Sequence, residues 1–175
     1  MNEKTKDNIK TIVKDILIAC AIAFVISLFI RPTLVKETSM EPTVHPDDYV
    51  IMSKQAYTFG KIDRGDIIVF KSDLKLDETH NKLLIKRVIG IPGDIITISD
   101  GNVYLNGNLL NEPYIAPGGT VGEIYNLTVP KGQAFVMGDH RSVSIDSRKF
   151  GCIKQKDIVG QAVFRLYPFN RIGVI

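Results

Sequence analysis

Residues 16–30, ILIACAIAFVISLFI, form a run of fifteen in which only Ser27 is polar. A run without a polar face is poorly suited to lie on a soluble core and is expected in lipid. As a helix rising 1.5 Å per residue it is about 22 Å long, short of the roughly 30 Å of a bilayer's hydrocarbon core. Thr11 to Val13, with Lys14 and Arg31 as ends whose charges snorkel to the headgroups, bring it close to spanning. A cleavable signal peptide needs small residues after the apolar core, and FIRPTLVKE offers no A-x-A-like site. The expectation is an uncleaved, single-pass transmembrane helix over residues 16–31 after a cytoplasmic segment, 1–15. Lys4, Lys6, Lys10 and Lys14 precede the run, whereas Arg31 and Lys36 follow closely. That bias leaves the N-terminus in the cytoplasm and residues 32–175 on the far side of the cell membrane.

Beyond residue 40 the pattern changes to short runs rich in Val, Ile, Phe and Tyr: DYVIMSKQ, DIIVFKS, LLIKRVIG, DIITIS, NVYLNGNLL, QAFVMGD and DIVGQAVFRLYPF. Each has strand length, and DRGD, GIPGD, SDGN, APGG and PKGQ punctuate them as turns. Asn106-Gly107 is a two-residue hairpin signal. The fold class expected is mainly β: a transmembrane helix, then an all-β domain over 32–175 of coiled antiparallel sheets, with a smaller excursion about residues 100–130.

With 45% apolar and 23% charged residues the chain has material for a core and is not disordered. A net charge of +3, with lysines and acids interspersed, gives no reason to expect nucleic-acid binding. Cys20 lies in the apolar run and Cys152 in the polar part, so no disulfide framework is expected; His45, His80 and His140 make no zinc-binding spacing. No metal and no other cofactor is expected. Nothing in the sequence sets the oligomeric state; a monomer is the expectation.

The chemistry lies in three segments. LVKETSMEPTV, residues 34–44, places Ser39 in a proline-stiffened turn. A serine hydroxyl is a poor nucleophile without a base, and a turn residue is the plainer reading of Ser39 alone. It follows Ile30 by only nine positions, so at 3.3–3.6 Å per residue it lies within roughly 30 Å of the end of the apolar run. Lys86 lies in LLIKRVIGIPGD, where alternation groups it with Leu84 and Val88. A lysine pressed among apolar side chains loses hydration and proton affinity, and a fall of about 3 units from about 10.4 would make it a base near neutrality. A strand-edge lysine reaching water is the alternative. The third segment, VMGDHRSVSIDSRKFG (136–151), concentrates Asp139, His140, Arg141, Ser144, Asp146, Ser147 and Arg148. It could orient a lysine base, or supply His140 with Asp139 or Asp146 to a Ser-His-Asp triad with Ser39.

Read together, SMEPT (39–43), RGDIIVF (64–70), KRVIGIPGD (86–94), NGNLLNEPY (106–114) and GDHRSVSIDSR (138–148), following an apolar run, resemble bacterial type I signal peptidases in order and spacing over nearly the whole chain. Those enzymes are membrane-bound Ser-Lys endopeptidases that remove signal peptides from secretory preproteins. The resemblance implies Ser39 as nucleophile and Lys86 as general base. It implies Ser144 as a hydrogen-bond partner of the lysine, with Asp146, Arg148 and Arg87 supporting the site. Met40, Val44 and Ile85 would line shallow pockets for small residues at −1 and −3, and partners would be preproteins and membrane lipid. Two positions depart from the pattern. Glu37 stands where glycine or serine is usual and cannot donate to an oxyanion when ionised, and His140 replaces an asparagine. Glu37 keeps open a catalytically silent, membrane-tethered paralogue that binds signal peptides.

Overall fold

A computed structural model describes residues 3–54, 61–75 and 81–175. Residues 1 and 2 of the N-terminal segment, Gln55 of the first expected strand, and His80 lie outside them. The chain opens with α1 (Glu3–Phe29), which leads straight into β1 (Ile30–Leu34). Ile30 and Arg31, expected at the end of the anchor, thus belong to a strand: Ile30 pairs with Ser53, and Leu34 with Tyr49. Pairing with a neighbouring strand captures these β-branched and pre-proline residues, and the helix's uncharged part shortens to 16–29. Among the described residues no helix is long and apolar enough to cross a membrane, so the expected span finds no support here.

The remainder is antiparallel β. The strands are β2 (Tyr49–Ser53), β3 (Ile67–Lys75), β4 (Asn81–Gly90), β5 (Ile95–Ser99), β6 (Asn102–Leu105) and β7 (Asn108–Leu109). They continue with β8 (Ile124–Thr128), β9 (Gln133–Met137), β10 (Ile153–Lys154), β11 (Ile158–Tyr167) and β12 (Gly173–Val174). A single helical turn, α2 (Ser147–Phe150), follows β9 and is capped by Asp146. Among the described residues the larger sheet runs β1-β2-β11-β3-β4-β9-β10 with β12 beside β11, and the smaller runs β7-β6-β5-β8.

Alternation along β3, β4 and β9 explains how the core is divided. Ile67, Val69 and Ile85 join Met40, Val44, Val50 and Met52 in one apolar cluster. Ile68, Phe70, Leu84 and Val88 join Ala134 and Val136 in a second. Phe135 and Met137, the intervening residues of β9, pack with Ile89, Ile96 and Ile98 of the third, against the smaller sheet. Strands buried on both faces read as nearly continuous apolar runs, as QAFVM does.

The smaller sheet is tied to the larger one by charge as well as packing. Arg64 grips the carboxylate of Asp94 with both Nε and Nη2, at 2.8 and 2.6 Å. Asn106 Nδ2 and the Ile91 amide donate to the same group. Burial alone would raise the Asp94 pKa, but Arg64 and these donors outweigh it and hold it down at about 2. RGD and PGD are thus two halves of one clasp. The Asn106-Gly107 hairpin joins β6 to β7 with φ of +53° and +81°, the left-handed geometry that this pair tolerates.

Phe70 is fully buried between β4 and Phe150, whose ring it meets edge-on at 6.1 Å. Phe70→Ala is expected to destabilise the domain by about 3–5 kcal/mol. Urea unfolding followed by near-ultraviolet circular dichroism measures it, with the midpoint falling and the slope preserved.

Candidate active site

After β1 the chain leaves the sheet and makes a turn held by Glu41 N–H to Thr38 O (3.1 Å) and Val44 N–H to Met40 O (2.9 Å). Met40 and Val44 point into the core beneath it, fully buried, and Ile85 lies beside them with 9% exposure. These anchors fix the backbone of Ser39, itself only 6% exposed. Lys86 reaches it from the middle of β4, where Ile68 is its cross-strand partner. Its Nζ lies 2.7 Å from Ser39 Oγ and 2.9 Å from Ile85 O.

Lys86 is 1% exposed and shares its strand face with Leu84 and Val88. Burial lowers its pKa to about 8; Glu37, Asp146 and Asp139 hold it up, and Lys82 adds to the fall. A lysine with this affinity is partly neutral near physiological pH and can take the proton of the hydroxyl that it touches.

The segment after β9 grips the serine turn from the other side. His140 N–H donates to Ser39 O at 3.1 Å. Gly138 is required by this approach: a Cβ there would lie 2.4 Å from both Ser39 O and Ser144 Oγ. Gly138 N–H donates to Asp146, which accepts a forked pair from Arg148 Nε and Nη2, each at 2.8 Å. Burial raises the Asp146 pKa, but Arg148 and the Gly138 amide more than reverse that and keep it ionised. Arg148 also donates to the carbonyls of Arg141 and Val121, bracing the loop end to end.

Arg87, on the opposite face of β4 from Lys86, forks onto Asp139 at 2.9 and 2.8 Å and stacks its guanidinium 4.1 Å from the Tyr114 ring. Thr43, from the serine turn, donates to the same Asp139 carboxylate. Arg141, 2% exposed, pairs with Glu112 and Thr120 and donates to Gly138 O. The structure therefore brings Ser39, Lys86, Arg87, Ser144, Asp146 and Arg148 into one neighbourhood. It places Met40, Val44 and Ile85 in the packed floor of that neighbourhood.

Ser144 Oγ is buried beside Asp146, whose proton affinity it helps to lower, and the Lys86 ammonium is bonded to Ser39 and Ile85 rather than to it. The histidine triad is not assembled: His140 Nδ1 lies 3.7 Å from Glu41 Oε2, Asp139 is taken by Arg87 and Thr43, and Asp146 by Arg148. Thr43, Gly138, Glu112 and Tyr114 are supports that a sequence reading misses. All four lie inside SMEPT, NEPY and GDHR, but only the fold reveals what they touch.

A groove of about 310 Å³ opens at Ser39. Residues 36–39 form one wall; Leu74, Lys82, Leu84, Val143 and Ile145 form the rest. Glu37 and Lys82 make an ion pair between the walls. β9 pairs with β4 only from Arg87 onward, so among the described residues no strand covers that edge of residues 82–85. The described residues contain no group of three or more His, Cys, Asp or Glu that could hold a metal ion.

Because folding lowers the proton affinity of Lys86, the unfolded chain binds the additional proton between pH about 8 and its ordinary 10.5. The contribution of Lys86 to stability therefore rises with pH across that window and levels off above it. Urea titrations from pH 7 to 11 should show this rise in the unmodified protein and its loss in Lys86→Met.

A family profile described as signal peptidase, peptidase S26, matches residues 9–167. A signal peptidase I of Bacillus licheniformis is 37% identical over 171 residues, covering 91% of this chain and 89% of that protein. A probable signal peptidase I-2 of Synechocystis is 35% identical over 169 residues, covering 95% and 75% respectively. A crystal structure of a signal peptidase I from Enterococcus faecalis is 34% identical, covers 58% of this chain and 96% of that one, and superposes with a TM-score of 0.49. By its sequence the chain belongs to the signal peptidase family, peptidase S26.

Proposed function

We propose that the protein is a serine endopeptidase that removes N-terminal signal peptides from exported preproteins, using Ser39 as nucleophile and Lys86 as general base. The observation that carries this reading is the 2.7 Å separation of Lys86 Nζ from Ser39 Oγ, with the lysine buried and its pKa near 8. Neutral Lys86 takes the proton of Ser39, and Oγ adds to the scissile carbonyl. The resulting oxyanion lies beside the Ser39 N–H, which donates no hydrogen bond among the described residues. Protonated Lys86 then gives its proton to the departing amine. The mature protein leaves, and the signal peptide remains as an ester on Ser39. Lys86, neutral again, deprotonates water to hydrolyse that ester. An ammonium has three donors; Ser39 and Ile85 take two, and the Ser144 hydroxyl is suited to the third.

The substrate is taken as an extended strand along the uncovered edge of β4, where backbone hydrogen bonds supply affinity and pockets supply selectivity. Met40 and Val44 are fully buried beneath the serine turn, Ile85 keeps 9% of its surface, and none of the three lines the groove; their part in selecting small side chains at −1 and −3 rests on the family resemblance. Attachment to lipid is assigned to α1, on which Ile12, Ile16, Leu17, Ile22, Phe24 and Phe29 are exposed. Its uncharged stretch, 16–29, is about 21 Å long and draws on the snorkelling of Lys14 and Arg31 at its ends. The lysine bias places residues 32–175 outside the cytoplasm.

Cleavage of a preprotein with an A-x-A site by the detergent-solubilised chain tests the reading. Ser39→Ala and Lys86→Met are expected to lose at least about 10³-fold in kcat while remaining folded, and His140→Ala to retain activity. No cleavage by the unmodified chain, across several preproteins with lipid present, would favour a silent binding protein.

A further inference from the structure

We propose that Glu37 and Lys82 form a charge-balancing clasp across the groove that lets a carboxylate stand beside the oxyanion position and sets the pH at which Lys86 becomes a base. This rests on the Ser39–Lys86 reading and concerns residues to which that reading gives no role. Glu37 stands two residues before Ser39 and lines one wall of the groove; Lys82 stands four before Lys86 and lines the other. Their ion pair joins the walls, with both side chains partly exposed at 30% and 39%.

A lone carboxylate at Glu37 would oppose the reaction twice. It would repel negative charge developing on a carbonyl oxygen beside the Ser39 N–H, and it would favour the protonated, inactive form of Lys86. A lone ammonium at Lys82 would act in the opposite sense on both. The remaining charges facing Lys86 are already paired: Asp139 with Arg87, and Asp146 with Arg148. His140 Nδ1 lies 3.7 Å from Glu41 Oε2, and Lys36 lines the same groove as Glu37. Glu37–Lys82 is therefore the pair whose balance an entering substrate meets directly. Partial exposure makes each member's effect modest, because solvent screens it.

The clasp predicts asymmetry, which a merely structural ion pair does not. Glu37→Gln should move the acid limb of the kcat/KM profile to lower pH and cost less than about threefold in kcat at the plateau. Lys82→Gln should move the limb to higher pH and cost about tenfold in kcat, with KM changed less. The double variant should return the limb towards the unmodified protein. The companion measurement is the ¹³C NMR titration of Lys86 in labelled, micelle-bound full-length protein, with its resonance assigned by its loss in Lys86→Met. Opposite displacements of the Lys86 midpoint in the two single variants uphold the clasp. Equal losses of kcat with no displacement, or displacements of the same sign, overturn it. If the unmodified protein cleaves no preprotein, the peptidase reading fails, and the NMR midpoints alone decide whether the clasp governs Lys86.

Discussion

Taking the Lys86 ammonium out of water and setting it against one serine hydroxyl is the constraint on which the surrounding structure depends. A cation in a sheet packed on both faces costs stability, and the chain meets that cost locally. Lys86 is bonded to Ser39 and to the carbonyl before it, and Ile68, Leu84 and Val88 form its apolar surroundings. The same burial that opposes the charge brings the pKa to about 8. Stability is given up at the position where the proposed mechanism calls for a neutral base, and perturbed pKa values of this kind cluster at functional sites.

Around that pair the supports are arginine–carboxylate forks rather than further apolar packing. Arg87 with Asp139 and Arg141 with Glu112 join segments far apart in the chain, and Arg148, paired with its near neighbour Asp146, braces the loop through the carbonyls of Arg141 and Val121. Two-pronged pairs fix orientation as well as distance, which suits a site in which Ser39 must meet Lys86 within hydrogen-bond reach. Two of them pair Asp139 and Asp146, acids that favour the charged lysine, and desolvation dominates its titration. Gly138 completes the grip, because only a residue without Cβ allows the loop to touch both Ser39 and Ser144.

Much of this was legible from residues alone. The β-branched runs marked β2 to β6, β9 and β11, and Asn106-Gly107 marked the β6–β7 hairpin. The short or polar strands β1, β8, β10 and β12 were not legible, because IRPTL and IYNLT carry no alternation and two-residue strands exist only through their partners. The break of the apolar run at Phe29 was hidden for the same reason: pairing of Ile30 with Ser53 decides it. Ser39 and Lys86, 47 residues apart, were each open to a plainer reading, and only the order of motifs in the resemblance linked them. The partners of Arg87 and Arg141 were not, since nothing local distinguishes one acid from another. Glu37 was visible as a departure, but Lys82 looked like an ordinary solvent-facing lysine until the fold set it across the groove.

The central claim is that Ser39, activated by Lys86, becomes covalently attached to the signal peptide. Mass spectrometry of the full-length protein, acid-quenched during turnover of a preprotein and mapped by digestion, tests it most directly. The account predicts a signal-peptide ester on the fragment containing Ser39 and on no other. An adduct on a different residue, Ser144 included, or cleavage undiminished in Ser39→Ala, would contradict it.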